Sequence, residues 1–238
     1  MVNPRQTKAF ATSLGKRAKN DILDAKVLME YGKKIQPAAT QPLSESVEKL
    51  RELLTRRYQL NKMLVAEKNH AKAPCTSKLT LSGIKELIKS IQWQIKLVDT
   101  KMLEIINNDA ELKEKSAKLS AQTGVGPVLL FTLLSYMPEL GKLERKQVSA
   151  LAGVAPYDRD SGNFSGKRSI AGGRVRVRCA LYMASLSAIR HNAVIKQFYQ
   201  RLISNGKPRK VAIVACMRKF IIYLNLVLKQ QPENSFVA

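Results

Sequence analysis

Apolar residues recur at three- and four-residue steps through much of the first half of the chain, and this spacing restricts that half to long amphipathic helices. One series runs over about residues 44–71 and a second over about residues 85–107. Ser44 is a suitable N-cap, and Pro74 closes the first segment. Two long helices with a short connection predict an antiparallel helical hairpin or coiled coil, which serves either as a spacer or in self-association.

Shorter helices are predicted on both sides of the hairpin. Residues 1–35 have the pattern of two short helices around a turn at residues 14 and 15, with Asn20 or Asp21 as the N-cap of the second helix. The C-terminal half reads as a separate, largely helical unit, so the fold class is mainly α. The predicted parts are residues 1–36, 37–118 and 119–232.

The charge of the chain predicts a polyanionic partner. Lys and Arg number 41 against 18 acids, which gives a formal net charge of +23 and a sequence pI of about 10.1. Residues 161–231 contain no Asp or Glu, whereas Lys and Arg recur throughout them. A solvated structural face normally mixes both signs, so this stretch is typical of a surface that lies on nucleic-acid phosphates. No secretory signal is recognised and no apolar run approaches the roughly 20 residues that span a bilayer, so we expect an intracellular protein without a membrane partner.

Residues 156–174 form a glycine-rich basic loop, which is the best place in the chain for chemistry. Ser161 precedes Gly162, so its hydroxyl is expected on an open, sharply turned backbone. Guanidinium groups near such a serine neutralise a scissile phosphate and the negative charge that develops during attack. A polar turn serine beside phosphate-binding arginines is the alternative. The cationic residues around Ser161 are Arg159, Lys167, Arg168 and Arg174.

Other segments are further candidates for phosphate contact. The turn at residues 123–127 (TGVGP) leads into an apolar run and presents backbone N–H groups at a helix N-terminus, where a DNA phosphate can bind; a plain tight turn before a core helix is the alternative. The remaining basic residues expected to contact nucleic acid are Arg176, Arg178, Lys207, Arg209 and Lys210.

A series of different short motifs follows one another through the C-terminal half of the chain. They are residues 124–127 (GVGP), 151–156 (LAGVAP), 161–162 (SG), 166–168 (GKR), 172–174 (GGR), 178–183 (RCALYM), 190–192 (RHN), 198–199 (FY), 206–208 (GKP) and 215–219 (ACMRK). Their order and spacing resemble the transposase domain of the insertion-sequence family known as "one-ten", with its "one-eleven-eleven" branch and related DNA invertases. The resemblance implies that Ser161 is the nucleophile that attacks the DNA strand. Ser165 and Ser169 are the alternatives if the register differs.

The N-terminal segments 2–6 and 19–25 resemble the last helices of the Holliday-junction-resolvase-like, RNase H-like α/β domain of the same family. That domain holds a divalent metal ion with an Asp, a Glu and two further Asp residues, and the resemblance assigns the last two to Asp21 and Asp24. Three residues apart on a helix they share one face, and carboxylates suit Mg²⁺. Without the resemblance they are ordinary first-turn helix acids. The first Asp, the Glu and their strands are expected upstream of residue 1, so we expect a truncated chain with an incomplete Mg²⁺ site.

The leading hypothesis is a transposase or recombinase that acts on the DNA of its own mobile element, in the cytoplasm and associated with the nucleoid. The resemblance further implies a guide RNA encoded in the element, and exchange between two duplexes implies a homo-oligomer, either a dimer or a tetramer. A second hypothesis is a catalytically inactive remnant that only binds DNA or RNA. A third, a basic structural protein of the ribosome or nucleoid, explains the charge but not the loop that contains Ser161.

Overall fold

The computed structural model describes residues 4–15, 20–37, 42–74, 77–158, 166 and 168–229. These residues are mostly helical, with one two-stranded ribbon, which confirms the mainly α prediction. The chain divides into two compact units, residues 1–43 and residues 44–238.

The first unit is built on two helices, α1 (Pro4–Ser13) and α2 (Asp21–Ile35). The rings of Phe10 and Tyr31 pack edge to face between them, with centroids 5.4 Å apart. The side chain of Asn20 accepts a hydrogen bond from the Leu23 N–H at 2.8 Å, so Asn20 and not Asp21 is the N-cap of α2. This cap satisfies one of the free amide groups at the start of the helix.

The second unit begins with two long helices packed against each other, α3 (Glu45–His70) and α4 (Lys78–Asn108). Arg57 of α3 and Asp99 of α4 form a two-bonded ion pair at 2.6 and 3.2 Å, which fixes the register of the antiparallel hairpin. α4 begins earlier than predicted, because Ser77 caps it by accepting a hydrogen bond from the Thr80 N–H. Gly83 weakens the helical pattern of this first part in the sequence.

Among the described residues, six further helices pack into the C-terminal part of the second unit, with α6 at its centre. The residues of α6 from 129 to 135 are all buried, and the helix packs against α3, α5 and α8. The helices are α5 (Ala110–Ser120), α6 (Pro127–Tyr136), α7 (Arg145–Leu151), α8 (Val175–His191), α9 (Ala193–Ser204) and α10 (Arg209–Lys229), and the ribbon strands are β1 (Pro156–Tyr157) and β2 (Ser169–Ile170).

α10 is long and apolar enough to cross a membrane by length and composition, although the sequence was expected to hold no such run. The difference arises because Arg218 and Lys219 interrupt the apolar run in the sequence, but the mean hydropathy of the helix stays high enough for a membrane span. In the fold α10 packs against α5, α7, α8 and α9. The buried Asn225 accepts a hydrogen bond from the Gly141 N–H and donates one to the Leu143 carbonyl, at 2.9 and 2.8 Å. These contacts are those of a core helix, and one apolar helix is weak evidence for a membrane span.

Candidate active site and basic surface

The predicted basic loop leaves the bundle through β1 and returns to it through β2. Pro156 lies opposite Ile170, and Tyr157 lies opposite Ser169. Immediately beyond the strands, Asp158 Oδ1 and Arg168 Nε form an ion pair at 2.5 Å. The sequence predicted an irregular loop over residues 156–174, and the structure differs at its ends, where the backbone pairs.

Next to the ribbon, the two arms of the loop, which are the segments that lead into it and out of it, approach each other closely at Gly153 and Gly173. We call this close approach the crossing. Both glycines have a left-handed backbone, with φ values of +70° and +69°. A Cβ atom on Gly173 would lie 2.3 Å from both the nitrogen and the Cα of Gly153. The carbonyl of Leu151 accepts a hydrogen bond from the Arg174 N–H at 2.7 Å beside the crossing. Because a side chain at Gly173 would occupy the same space as the Gly153 backbone, only glycine allows the two arms this close.

Two predicted phosphate-binding arginines hold this crossing from within the protein. Nη1 of Arg178 donates to the carbonyls of Gly172 at 2.7 Å and Gly153 at 3.4 Å. Nη1 of Arg174 donates to the Tyr136 carbonyl at 2.6 Å. Both guanidinium groups therefore have protein partners, and their contact with nucleic acid stays a prediction.

A third predicted arginine, Arg176, lies between two aromatic rings. Its Cζ is 5.2 Å from the ring centroid of Tyr58 and 5.1 Å from that of Tyr136. Its Nη1 donates to Thr55 Oγ1 at 2.7 Å and to the hydroxyl of Tyr136. Arg51 covers the Tyr136 ring as well, with its Cζ 5.4 Å from the centroid. This arginine–tyrosine cluster ties α3 and α6 to the first turn of α8, which directly follows the loop.

Glu139 supplies the negative charge beside the cluster. Its Oε1 lies 2.5 Å from Arg174 Nη2. Burial by itself raises the pKa of Glu139, but the hydrogen bond from Arg174, one from its own backbone, and the charges of Arg174 and Arg51 together hold that pKa below its ordinary value. The carboxylate is thus kept ionised where it holds the arginine that precedes α8.

Acid is expected to weaken this contact. Because the pKa of Glu139 is lower in the folded chain than its ordinary value of 4.5, the pair stabilises the fold above that pH, and the stabilisation is lost as the pH falls through the folded-state pKa. Glu139→Gln is therefore expected to lower the Tm at about pH 7 and to lower it less at a pH well below 4.5, where part of the stabilisation is already lost. Thermal unfolding of both proteins at both pH values measures this. An equal loss of Tm at the two pH values would contradict an ionic role for Glu139.

The remaining basic residues of the prediction that the structure describes differ in their exposure and in whether they pair with an acid. Arg168 is 71% exposed but paired with Asp158. Lys207, Arg209 and Lys210 are exposed around the start of α10, and none of them forms an ion pair with a carboxylate in the described part of the chain. Among the predicted basic residues that the structure describes, these three have the cationic groups most accessible to a phosphate.

The serine candidates fall in different places. Ser169 lies in β2, where its backbone is part of the ribbon. Ser161, the first candidate, and Ser165 lie outside the described residues, as do Arg159 and Lys167. The structure thus gives the two ends of the loop that carries Ser161.

The turn at residues 124–127 packs closely against α8 at Gly124. Gly124 has φ +102°, and a Cβ there would lie 2.9 Å from the Cβ of Ala188. The groove in front of the turn is lined mainly by apolar groups, such as Val128 and Met183, and none of its described lining residues is Lys or Arg. The tight-turn alternative therefore accounts for Gly124, whereas nothing lies within 4 Å of a Cβ position at Gly126, and phosphate binding at this turn stays a prediction.

Asp21 and Asp24 both lie exposed on the first turn of α2. In the described ranges, no group of three or more His, Cys, Asp and Glu side chains is placed to hold a metal ion. Asp21 and Asp24 are two of the four acids that the resemblance implies, and two carboxylates would leave the other positions of an octahedral Mg²⁺ to waters or phosphates. Within the described residues, the two acids therefore do not form the full site that the resemblance implies.

Comparison with known proteins covers both ends of the chain. The sequence model of the transposase IS116/IS110/IS902 family matches residues 116–200, which include the ribbon and its crossing, and a DEDD transposase model of the IS110 group matches residues 1–76. The chain is 31% identical over 234 residues to the pilin gene-inverting proteins of Moraxella bovis and Moraxella lacunata, covering 97% of this chain and 72% of each relative. The order of the motifs and these matches lead to one conclusion: the chain belongs to the IS110 family of transposases.

Proposed function

We propose that this protein is a DNA recombinase of an insertion element and that Ser161 Oγ attacks a DNA phosphodiester. The observation that carries the proposal is the rigid base of the loop around Ser161. The base consists of the ribbon, the crossing of Gly153 with Gly173 and the bonds from Arg178. A nucleophile needs this support, because catalysis depends on holding the reacting atom close to its target.

Membership of the family establishes the coarser class: a transposase, which acts on DNA and rearranges it, and for which the cytoplasm is the expected location. The names of the two relatives describe the inversion of a gene, which supports recombination as the kind of reaction. The DEDD match implies that the family uses a divalent metal ion in general. The serine mechanism belongs to our proposal.

The proposed step exchanges one phosphate ester bond for another. Ser161 Oγ loses its proton and forms an O–P bond, while one P–O bond of the DNA strand breaks and its oxygen leaves as a hydroxyl after taking up a proton. The product is a phosphoserine link, which the freed hydroxyl of another strand can attack in reverse. Cationic groups on the loop, Arg159, Lys167 and Arg168, would stabilise the negative charge that develops on the phosphate oxygens.

Several partners belong to this proposal. The surface formed by Lys207, Arg209 and Lys210 would bind the phosphates of the element's DNA. A guide RNA encoded in the element and nucleoid association follow from the family resemblance. Asp21 and Asp24 would contribute two ligands to a Mg²⁺ ion. Exchange between two duplexes requires at least a dimer, and a tetramer satisfies the same requirement.

A covalent protein–DNA adduct tests the mechanism. The chain would be incubated with radiolabelled DNA of the element's ends, RNA transcribed from its non-coding segment and Mg²⁺, and the products separated on a denaturing gel. We expect an adduct with the wild-type chain and none with Ser161→Ala, because the variant lacks the attacking oxygen.

Ser165→Ala and Ser169→Ala are the matched controls, since each removes one hydroxyl from the same loop. Retention of the adduct in both variants is expected. Its loss in one of them, with retention in Ser161→Ala, would move the nucleophile to that position. If no protein forms an adduct while all bind DNA or RNA in a salt-sensitive way, the chain is a binding remnant.

A further inference from the structure

The outer face of α4 carries a row of lysines that the proposed reaction does not use. Lys78, Lys85, Lys89 and Lys96 lie within an arc of about 40° around the helix axis, since each residue advances an α-helix by about 100°. At 1.5 Å per residue the row is about 27 Å long. All four side chains are exposed, so the row is one straight line of ammonium groups.

In the described part of the chain, some exposed lysines on neighbouring helices, such as Lys62 and Lys113, form no ion pair, and others have an acidic partner. Lys49, Lys101 and Lys118 each pair with a glutamate one helical turn away. The four lysines of the row, by contrast, form no ion pair with any carboxylate in the described part of the chain. Asp99, about 60° around the axis from Lys78, is the α4 acid closest to the row and is paired with Arg57 of α3, while Glu86 lies about 80° away. Four ammonium groups in one row without an acidic partner suit a phosphate backbone, which would supply the compensating negative charge.

An aromatic ring lies beside the row. Trp93 lies about 60° around the axis from Lys78, between the levels of Lys89 and Lys96. Its side chain is 63% exposed, although α4 has a buried face against α3 that accommodates Ile91 and Met102. A large indole left in water next to unpaired lysines has the two components of a stacking platform for bases: a π-face and adjacent cationic groups.

We infer that the outer face of α4, with Lys78, Lys85, Lys89, Lys96 and Trp93, binds single-stranded DNA. The lysines contact successive phosphates, and a base stacks on the indole of Trp93. A duplex satisfies only the first contact, because its bases are already stacked on each other and do not reach the ring. DNA is the occupant to which we commit, because the family to which the chain belongs acts on DNA.

This strand-binding face is independent of the serine mechanism. It lies on the hairpin and uses none of the residues of the ribbon or the loop. Loss of the face would weaken DNA binding and leave an adduct at saturating DNA unchanged. Loss of Ser161 would abolish the adduct and leave DNA binding unchanged, so the two proposals fail separately.

The test uses the tryptophan itself, because Trp93 is the single tryptophan of the chain. Titration of the full chain with oligothymidylate at low salt is expected to quench its emission to saturation, and added salt should reverse the quenching. Binding measured in parallel by the anisotropy of a labelled oligonucleotide should weaken about tenfold in Trp93→Ala. In the variant Lys85→Gln, Lys89→Gln, Lys96→Gln, affinity should also fall about tenfold, and the slope of log affinity against log salt should decrease by about 2.

The matched control is the variant Lys49→Gln, Lys101→Gln, Lys118→Gln, which removes the same charge from lysines that have partners. It should retain the quenching and most of the affinity. An equal loss in this control would show that only net charge matters and would overturn the inference. Anisotropy without quenching would place the strand elsewhere on the chain. Quenching only by oligouridylate, or more strongly by a duplex of equal length, would reject single-stranded DNA as the occupant.

Discussion

Gly173→Ala is expected to destabilise the second unit by about 3 kcal/mol or more, which makes it one of the most damaging single-methyl changes available in this chain. A residue with a Cβ at a φ near +69° costs about 1–2 kcal/mol in backbone strain. The new methyl group would also lie 2.3 Å from two backbone atoms of Gly153. Backbone cannot move aside as a flexible side chain does, so the two arms of the loop must separate.

Gly172→Ala is the matched control for this prediction. Gly172 has nearly the same backbone, with φ +66°, but nothing lies within 4 Å of the position of its Cβ. Its substitution should cost about 1–2 kcal/mol from strain alone. Denaturant unfolding of the two variants gives the comparison. Equal losses of unfolding free energy would show that the crossing with Gly153 contributes nothing beyond backbone strain.

The same pair of variants also tests how the scaffold supports the proposed chemistry. If the crossing positions the loop of Ser161, a folded population of Gly173→Ala should form less protein–DNA adduct than Gly172→Ala does. Measuring both variants well below their unfolding transitions separates this effect from loss of folded protein. Equal adduct from the two folded proteins would mean that the ribbon alone is enough to hold the loop.

The helices were predictable because their signals are local. α3 and α4 cover the predicted spans of about residues 44–71 and 85–107, and the start of α9 has an equally local signal. Asn192 shows why, since it ends α8 and its side chain caps α9 by accepting a hydrogen bond from the Ile195 N–H at 3.1 Å. A cap and a periodic apolar face are both visible within a few residues of sequence.

The contacts that build the site were not predictable, because they join residues far apart in the chain. Gly153 and Gly173 belong to recognised motifs, but no pattern in the sequence shows that one packs on the other. Tyr136 had no signal at all, since it merely ends an apolar run. Glu139 looked like an ordinary acid, although it holds Arg174 across 35 residues. Long-range packing of this kind arises only from the tertiary fold.

The arginines near the loop also show what the sequence does not predict. From sequence, Arg174, Arg176 and Arg178 look like a basic surface, since all three fall in the acid-free stretch. In the structure their guanidinium groups donate to carbonyls and hydroxyls, lie against rings or pair with a carboxylate, and their contact with nucleic acid stays a prediction. Charge patterning alone does not separate a cation that binds DNA from one that holds the scaffold, whereas hydrogen-bond partners and exposure do.

Arg176→Ala is the second change expected to have a large effect, with a loss of about 3 kcal/mol in unfolding free energy. The substitution removes a cation that lies against the rings of Tyr58 and Tyr136, and the hydroxyls of Thr55 and Tyr136 keep only their contact with each other, at 3.3 Å. Arg176→Lys should recover only part of the loss, because an ammonium group keeps the charge but cannot stack flat and donate to both hydroxyls.

A direct role in DNA contact predicts a different pattern for Arg176, and Arg209 supplies the comparison. Arg209 is exposed and has no ion pair with a described carboxylate, so Arg209→Ala should leave the Tm unchanged. If Arg209 contacts a phosphate, the same variant should reduce the slope of log affinity against log salt by about 0.9 for duplex DNA. Arg176→Ala should lower the Tm and leave that slope unchanged in the folded protein. An unchanged Tm with a reduced salt slope in Arg176→Ala would instead place its guanidinium on DNA, and would mean that the arginine–tyrosine cluster opens when DNA binds.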